Sequence, residues 1–455
     1  MANFITTSIT WEGKTNFDKL LKPLFIGKSP FETKGVRIMP NVQSKQKLNY
    51  WGAVTKVLKA YVKGFNPASG STYTQRDIDV YQMKAEMSQD GNEFWQTVYE
   101  QLLAKGIDWN DISKASGELQ ATIVEIFSNA LKSDTYRQFW LNDTNKETVV
   151  SGVQTGIADV DYNAYQGMWQ IIFANAASSP SALQIKAFDY DASAVAQVQT
   201  ASITGTSGTA NVLVDGINYL STFNTSLTIS NTDFVTLHAA ALLLRNIVVT
   251  ASVADLIFTS NIPGSPFGVI TVTNATGDLA GTVAATTANT APIALTADQT
   301  LGQLKTMYRD SSAALRSLPK KDKVFQVDGY SYENLLTTYE GFKTSTPLFS
   351  SELGRSQMID GVEFLTFRGI PVINLDWEND LNADFPHATG ELPARVYRII
   401  YVALQNEVLS MDAMSEFTKF EFWYNKDEQE NRYRIQLKTG ANYVHNELMS
   451  VSYEL

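Results

Sequence analysis

The chain has 455 residues, of which 44% are hydrophobic and 18% charged, a composition typical of a folded protein with roughly two to four domains or subdomains. It contains no cysteine, which excludes disulfides, thiolate metal ligands and cysteine nucleophiles. No run of about 18 apolar residues is present, and the N-terminus lacks the apolar core of a secretory signal. We therefore expect neither a transmembrane helix nor export.

The net charge of −11 is unevenly distributed along the chain. Residues 1–63 carry eleven basic and three acidic side chains, a net charge of +8, so the remainder carries −19. A basic leading segment on an acidic body predicts an arm that binds an acidic partner surface. That surface is either nucleic acid or the acidic body of a neighbouring copy. The alternative is a solvated lysine-rich arm that has no partner.

The leading segment, up to about residue 48, carries aromatic residues without helical or strand periodicity. Because such a segment cannot bury Phe4, Trp11 and Phe17 by itself, we expect these rings to dock on another surface. Between about 49 and 100, two alternating runs, YWGAVTKVLKAYVKGF and RDIDVYQMKAEM, flank the turn-rich NPASGSTYTQ. This arrangement predicts an extended hairpin.

A long helix is predicted from about Ser116 to Leu141, with Ser116 as the N-cap. Its apolar residues recur at spacings of three and four, which indicates one buried stripe. The stripe comprises Leu119, Ile123, Ile126, Phe127, Ala130 and Leu131.

From about 195 to 297 the composition changes to Thr, Ala, Ser, Val, Asn and Gly, and Arg245 is the only basic residue from 187 to 297. Short strand-like segments, among them VQTASITG, SLTIS and DLIFTS, recur between turn signals and predict an inserted β-rich domain. One helix is expected at TDFVTLHAAALLLRN, with Thr232 or Asp233 as its cap. A Thr/Ser-rich low-complexity linker is the alternative.

After the insert, the pattern predicts a helix over TLGQLKTMYRDSSAALRSL, the strand KVFQV and a helix over SYENLLTTYEGF. FLTFRGIPVINLDW, residues 364–377, has the best strand alternation in the chain, yet Gly369 and Pro371 interrupt it. Since proline cannot donate to a sheet ladder, we expect a strand that bends at a domain edge and resists further pairing. The segment RVYRIIYVAL and two alternating strands end the chain.

Candidate catalytic residues are few. His238, His387 and His445 lie far apart in sequence and in contexts that explain them as structural residues. The triplet Asp159, Asp161 and Asn163 resembles a fragment of a calcium loop, but alanine follows where that loop requires glycine.

A second group of carboxylates lies at and after the end of the strand that contains Trp377. We interpret this group as a solvated acidic loop; the alternatives are a cation site and a contact with the basic arm of a neighbouring copy. Its members are Asp376, Glu378, Asp380 and Asp384. Nucleophile elbow, P-loop and dinucleotide motifs are absent from the sequence. We therefore predict no enzyme, and no cofactor or metal.

The order of these parts resembles that of tailed-bacteriophage major capsid proteins of the Hong Kong 97 type. The local match rests on Gly369-Ile370-Pro371-Val372, on the preceding KVFQVDGYSYENLL and on the closing RYRIQLKTGANYVHNELMSVSYEL. The cysteine-free, aromatic and Asn-rich composition is similar to that of capsid proteins of crAss-like phages. The resemblance implies an α+β capsid fold with an inserted β-rich domain. Its expected parts are an N-terminal arm (1–48), an E-loop-like extended hairpin (49–100), a spine helix with part of the P-domain (101–150), the A-domain in two pieces (151–194 and 298–395), the insert (195–297) and the C-terminal P-domain strands (396–455).

The resemblance also implies a function as a shell subunit that assembles into hexamers and pentamers of an icosahedral particle enclosing double-stranded DNA. Expected partners are identical subunits, portal, scaffold and auxiliary or head-fibre proteins, and packaged DNA bound non-specifically, with no membrane. The expected location is the virion, and the host cytoplasm during assembly. The residues expected at subunit interfaces are Phe4, Trp11, Phe17, Tyr50, Trp51 and Tyr73.

Two other functions compete with this one. The first is a phage tail-tube or sheath subunit, which would stack into rings or tubes. The second is a secreted carbohydrate-binding adhesin or glycoside hydrolase, which the Thr/Ser-rich insert suggests. The missing signal segment and the basic arm speak against the second.

Overall fold

The computed structural model describes residues 9–12, 35–52, 58, 60–64, 73–90, 117–150, 152–190, 193–344, 353–355, 365–385, 392–412, 419–425, 427–428 and 430–455. The chain divides into two compact units. The first comprises Met1–Asp143, Ala164–Phe173 and Leu404–His445, and the second comprises Thr144–Asn163, Ala174–Ala403 and Asn446–Leu455.

The described α-helices are α1 (Gly117–Leu141), α2 (Met168–Asn175), α3 (Leu227–Leu244), α4 (Gln299–Asp310), α5 (Ala313–Ser317), α6 (Gly329–Thr344) and α7 (Glu378–Asp384). The described strands are β1 (Ile9–Glu12), β2 (Arg37–Met39), β3 (Lys45–Trp51), β4 (Tyr73–Asp79), β5 (Tyr81–Asp90), β6 (Glu147–Val150), β7 (Val153–Ala158), β8 (Ala176–Ala177), β9 (Ile185–Asp189), β10 (Val198–Thr204), β11 (Gly208–Val214), β12 (Ile217–Thr222), β13 (Ile247–Ser252), β14 (Asp255–Ser260), β15 (Thr271–Gly277), β16 (Ala280–Thr287), β17 (Lys323–Val327), β18 (Leu353–Arg355), β19 (Leu365–Phe367), β20 (Ile370–Asn374), β21 (Ile399–Ala403), β22 (Glu407–Met411), β23 (Lys419–Asn425), β24 (Glu430–Tyr443) and β25 (Met449–Tyr453). The predicted α+β class is confirmed.

The first unit is built around the 14-residue strand β24. The sheet runs β1-β23-β24-β22-β2, and β5 also pairs with β24. As its alternation predicts, Tyr433, Ile435 and Leu437 of β24 are buried. The second predicted hairpin run, RDIDVYQMKAEM, is divided at Val80. Its first part is β4, which pairs with β3, and its second part is β5, which belongs to the sheet.

Helix α1 packs its aromatic residues on this sheet. Phe127 lies 5.9 Å from Phe420 and 6.3 Å from Tyr433 between ring centroids. Phe127 and Leu131 of the predicted stripe are buried, but Ile126 is exposed. At about 1.5 Å per residue, the 25-residue helix spans roughly 38 Å, the length expected of a strut.

The second unit contains an eight-stranded mixed sheet of order β18-β19-β20-β17-β21-β25-β9-β8. The predicted strand KVFQV is β17, and all five of its residues are buried. Phe325 stacks on Tyr401 of β21 at 4.2 Å between ring centroids. The strands of residues 396–455, predicted as one set of C-terminal P-domain strands, belong to two sheets. β21 and β25 pair in this sheet, whereas β22, β23 and β24 pair in the sheet of the first unit.

The segment 195–297 forms a β-rich body with its own apolar core, which includes Phe234, Leu256 and Phe258. It contains a four-stranded sheet, β13-β14-β10-β16, a three-stranded sheet, β12-β11-β15, and α3. Among the described helices, α3 alone has the length and mean hydropathy, 1.3, of a membrane span. Polar Ser, Thr and Asn residues interrupt its sequence, so it contains no unbroken apolar run of that length.

The FLTFRGIPVINLDW segment is a hairpin, so the prediction of one strand bent at an edge is wrong. Arg368 and Gly369 have φ angles of 51° and 81° and form a two-residue turn between β19 and β20. β20 pairs with β19 on one side and with β17 on the other, which makes it an interior strand. Pro371 is compatible with pairing to both neighbours. On the β19 side it opposes Thr366 in a pair that exchanges no backbone hydrogen bonds, so its missing N–H is not needed there. On the β17 side the pairing begins one residue later, at Val372.

Two helix boundaries also differ from expectation, and serine is the cause in each case. α3 begins at Leu227, because the Ser226 side chain caps it by accepting a hydrogen bond from the Ile229 N–H. SLTIS, predicted as a strand, is therefore helical. The predicted caps Thr232 and Asp233 lie within the helix. The helix predicted over 300–318 divides into α4 and α5, because Ser312 caps the second with a hydrogen bond from the Leu315 N–H.

Candidate functional site

The hairpin formed by β3 and β4 is anchored firmly at its base. Leu48 and Ile78 are buried and form a small cluster with Val408 of the sheet. Arg76 lies over the ring of Tyr443, 3.9 Å from its centroid, which is a cation–π contact. The register runs from Lys45 opposite Asp79 to Trp51 opposite Tyr73, so the hairpin extends away from this cluster.

Beyond its base the hairpin exposes large apolar side chains. Trp51 is 68% exposed and Tyr73 44%, and their rings meet across the strands at 4.9 Å between centroids. In the stretch that follows β3, Leu58 is 98% exposed and Tyr61 92%. Burial stabilises apolar surface by roughly 25 cal/mol per Å², so these exposed side chains are candidates for a contact with another molecule. Trp51, Leu58, Tyr61 and Tyr73 are called the hairpin patch below.

Polar contacts link the two strands of the hairpin. The Tyr73 hydroxyl donates to Asn49 Oδ1 at 2.7 Å, which fixes the ring that faces Trp51. Lys45 Nζ lies 2.9 Å from Asp77, and this hydrogen bond raises the pKa of Lys45 above its ordinary value. These contacts and the strand pairing order β3 and β4 within the chain itself.

The six residues predicted to lie at subunit interfaces differ in what the structure describes of them. Trp51 and Tyr73 belong to the hairpin patch. Tyr50 is half-buried against His445 of its own chain, 3.9 Å between ring centroids. The backbone of Trp11 pairs with Phe420 as part of β1, and nothing of its side chain is described. Phe4 and Phe17 lie outside the described residues. The interface role of all six stays a prediction.

Leu58 and Tyr61 were not singled out by sequence reasoning, because the alternation of YWGAVTKVLKAYVKGF predicts a strand with one buried face. In the structure β3 ends at Trp51, so residues 58 and 60–64 lie outside any strand. The useful signal was the density of apolar residues next to the turn-rich NPASGSTYTQ. Conversely, residues 35–48, predicted to belong to the arm, form β2 and the start of β3, with Val36 and Val42 buried.

The candidate histidines have structural contacts. His238 packs edge-on against Phe234 at 4.7 Å between ring centroids, and His445 is buried against Tyr50. His387 lies outside the described residues.

The candidate carboxylates are likewise engaged. Asp159 accepts a hydrogen bond from the Asp161 N–H and lies 3.7 Å from Lys146 Nζ. Glu378 accepts from the Gly329 N–H, and Asp384 from the Tyr162 hydroxyl. In the part of the chain that is described, no three His, Asp or Glu side chains are placed to bind a metal.

Comparison with known proteins gives matches only among solved structures. No family model matches the chain, and no curated protein matches it. The satellite phage P4 procapsid that includes the size determination (Sid) protein matches with a TM-score of 0.39 and 9% identity, over 94% of this chain and 95% of that chain. The capsid of cyanophage P-SCSP1u matches with a TM-score of 0.39 and 8% identity, over 95% and 94%. The capsid of cyanophage A-1(L) matches with a TM-score of 0.37 and 11% identity, over 95% and 94%.

All three are phage capsids.

Proposed function

We propose that this chain is a major capsid protein of the Hong Kong 97 type, which assembles into hexamers and pentamers of an icosahedral shell around double-stranded DNA. The hairpin patch is the observation that carries the proposal. The base of the β3–β4 hairpin is held by a buried cluster with Val408 in the first unit, while Trp51, Leu58 and Tyr61 are exposed. A subunit that shares its apolar surface with identical neighbours needs such a projection, whereas a monomer gains nothing from exposing it.

The order of the parts also supports a shell subunit. A basic leading segment, a hairpin with exposed aromatic residues and a helix of 25 residues come first along the chain, and the β-rich insert and most strands of the two sheets come after them. Lys and Arg side chains that neutralise DNA phosphates release counterions, and this release drives DNA binding. An acidic body therefore disfavours tight binding of packaged DNA to the shell wall. On this proposal the virion is the location, assembly takes place in the host cytoplasm, and portal, scaffold and auxiliary or head-fibre proteins are the further partners.

The test is assembly of the purified chain with and without the hairpin patch. The wild-type chain and the Trp51→Ser/Tyr61→Ser double variant are compared by sedimentation velocity and negative-stain microscopy. The control is Val269→Ser, which removes an equally exposed apolar side chain from the insert. We expect closed megadalton particles from the wild type and the control, and folded single subunits from the double variant, since both truncated side chains are largely exposed.

The same measurement distinguishes the rival functions. Open tubes or stacked rings from the wild-type chain would identify a tail-tube or sheath subunit. A monomer that stays single at all concentrations and binds glycans would favour the secreted adhesin or hydrolase. Particles of normal yield from the double variant would contradict the role of the hairpin patch.

A further inference from the structure

Four exposed cations lie together at one end of the eight-stranded sheet in the second unit. Arg316 is in the last turn of α5, Lys320 and Lys321 are in the short 3₁₀ turn before β17, and Arg368 opens the turn between β19 and β20. β17 and β20 are parallel, so both begin at this end. Lys320 Nζ lies 3.9 Å from the point where a side chain on Gly369 would begin, so the two turns are neighbours. These four cations are called the cation patch below.

The structural role open to a cation at this place is taken by Lys323. Its buried side chain donates from Nζ to the Leu315 and Arg316 carbonyls, at 3.3 and 3.2 Å, where α5 ends and its carbonyls need partners. Burial, and after it the nearby charge of Lys320, lowers the pKa of Lys323. Within the described residues, the side chains of Lys320 and Lys321 make no hydrogen bond and no ion pair. The fold gains no polar contact from these two lysines.

The surroundings of the patch do not neutralise it. Residues 305–323 carry six basic and two acidic side chains, in a chain whose net charge is −11. Of the two carboxylates, Asp310 pairs with Arg309 at 2.7 Å, and Asp322 is half-buried. In the part of the chain that is described, Arg316 and both lysines of the patch form no ion pair. A concentration of one sign of charge attracts a partner of the opposite sign, so the patch is suited to an anion.

The backbone of Arg368 provides a second, independent observation. Its φ angle of 51° lies in the left-handed region, at a hairpin position where Asn, Asp or Gly is preferred. Its guanidinium lies over the ring of Tyr308, 5.1 Å from the centroid, and its side chain is exposed. Residues held in this region cost free energy and are concentrated at functional sites. The turn therefore presents an exposed cation in place of a residue that the backbone favours.

We propose that the cation patch binds phosphate groups of double-stranded DNA. The planar guanidinium donates two N–H groups to one phosphate, and each lysine contributes a compact positive charge. This inference rests on the proposed shell function, in which the chain encloses DNA, and it names the residues that touch the phosphates. The acidic remainder of the chain keeps the contact weak and confines it to the patch.

The carboxylates of a second copy are the alternative partner. Those described in the acidic groups, Asp159, Glu378 and Asp384, already accept hydrogen bonds within their own chain. DNA phosphates are neutralised by mobile counterions, and the release of these counterions favours binding. The patch therefore displaces fewer existing contacts when it binds DNA than when it binds a sister chain.

Binding of duplex DNA to the free chain tests the proposal. Fluorescence anisotropy of a labelled duplex of about 20 base pairs is measured from about 50 to 200 mM salt, where four phosphate contacts give a slope of about −3.6 in log K against log salt. Lys320→Gln/Lys321→Gln/Arg368→Asn removes three of the four charges, and asparagine suits the left-handed turn position. We expect this triple variant to bind about tenfold or more weakly, with the slope reduced in magnitude by about 2.7.

The matched control removes the same amount of charge from cations that pair with carboxylates. Lys45→Gln/Lys84→Gln/Arg432→Gln leaves the patch intact, since these cations pair with Asp77, Glu86 and Glu428. We expect its affinity to stay within about threefold of the wild type, because salt screens charges distant from the bound DNA. An equal loss in the control and the triple variant would overturn the proposal, since net charge alone would then govern binding.

Lysine acetylation read by mass spectrometry locates the contact without any substitution. Duplex DNA should slow acetylation of Lys320 and Lys321 several-fold and leave the exposed Lys84 unchanged. Equal protection of all three lysines would overturn the proposal.

The outcomes separate this inference from the proposed function. Wild-type particles whose chain binds no DNA, or binds it as tightly as the triple variant does, would overturn the phosphate site and leave the shell intact. A wild type that binds no DNA, together with a triple variant that forms no particles, would overturn it in favour of a sister chain's carboxylates. DNA binding that the triple variant loses, without particles from the wild type, would support the site and overturn the shell.

Discussion

At the scale of single residues, Asp328 shows how burial sets the chemistry of a carboxylate. It is fully buried at the end of β17 and accepts hydrogen bonds from the Ser331 N–H at 2.9 Å, the Ser331 hydroxyl at 2.6 Å and the Arg398 N–H at 2.9 Å. Desolvation raises its pKa to about 6, because the loss of water disfavours the charged form more than the three donors favour it.

The raised pKa predicts a stability that falls with increasing pH. The pKa of Asp328 is higher in the folded state, about 6, than its ordinary value of 3.8, so the folded state binds the proton more tightly. Its contribution is complete below about pH 4 and is lost as the pH rises through 6, a change on the order of 3 kcal/mol. We expect Asp328→Asn to remove most of this slope, as measured by urea unfolding at several pH values between 4 and 7.5.

Asp278 supplies the control for this experiment because its pKa moves in the opposite direction. Hydrogen bonds from Thr206 and Ser207 lower the pKa of Asp278 to about 2. Its contribution is present above about pH 4 and is lost as the pH falls through 2. Asp278→Asn should therefore leave the slope between pH 4 and 7.5 unchanged. A wild-type slope in Asp328→Asn would show that other groups cause the pH dependence.

At the scale of elements, one cation joins the insert to the hairpin formed by β6 and β7. Arg245, which directly follows α3, lies 3.0 Å from Glu147 Oε1 of β6 and 3.5 Å from Asp215 Oδ2. It also donates to the Gln154 carbonyl of β7 at 3.3 Å. Its side chain is almost completely buried, so the two carboxylates depend on it for neutralisation.

We expect Arg245→Met to lower the free energy of unfolding by about 3–5 kcal/mol, since removing one member of a buried ion pair leaves an uncompensated buried charge. Thermal and urea unfolding measure the change. The matched control is Arg309→Met, which breaks an exposed pair with Asp310 at 2.7 Å and should have no measurable effect. Equal effects of the two substitutions would show that Arg245 does not anchor the insert.

At the scale of the whole molecule, the leading segment contributes both to its own sheet and to the proposed assembly. β1 pairs with β23 along four residues at the sheet edge, and β2 pairs with β22 at the other end of the strand order. Loss of the short edge strand β1 leaves the pairing of β23 with β24 intact, so the subunit does not depend on it to fold.

Deletion of residues 1–35 should therefore leave a folded subunit and abolish closed particles. Circular dichroism melting tests the first part, with a melting temperature within a few degrees of that of the full chain. Negative-stain microscopy tests the second. Normal particles from the truncated chain would show that the basic segment is dispensable for closure. An unfolded truncation would show that β1 is needed for folding of the subunit.

Regular periodicity predicted most of the elements correctly. α1, β17, α6, the alternation of β24 and the strands of the insert other than SLTIS, which is helical, follow from the sequence. One buried face imposes a repeat that is visible in one dimension. A hairpin is predicted over 49–100, whereas the described hairpin strands are Lys45–Trp51 and Tyr73–Asp79, and β5 belongs to the sheet. The exposure of Leu58 and Tyr61 could not be predicted, since an apolar residue looks the same in sequence whether its own chain or another molecule covers it.

The sequence by itself determined the local elements, the uneven charge, the lack of catalytic motifs and the β-rich character of the insert. The tertiary structure alone decided that Gly369 and Pro371 lie at and after a hairpin turn, that Arg245 is a buried anchor, and that α3 leaves Leu237 and Leu244 uncovered. The physical reason is that periodicity is set by neighbours along the chain, whereas burial, pairing partners and pKa depend on groups brought together from distant positions.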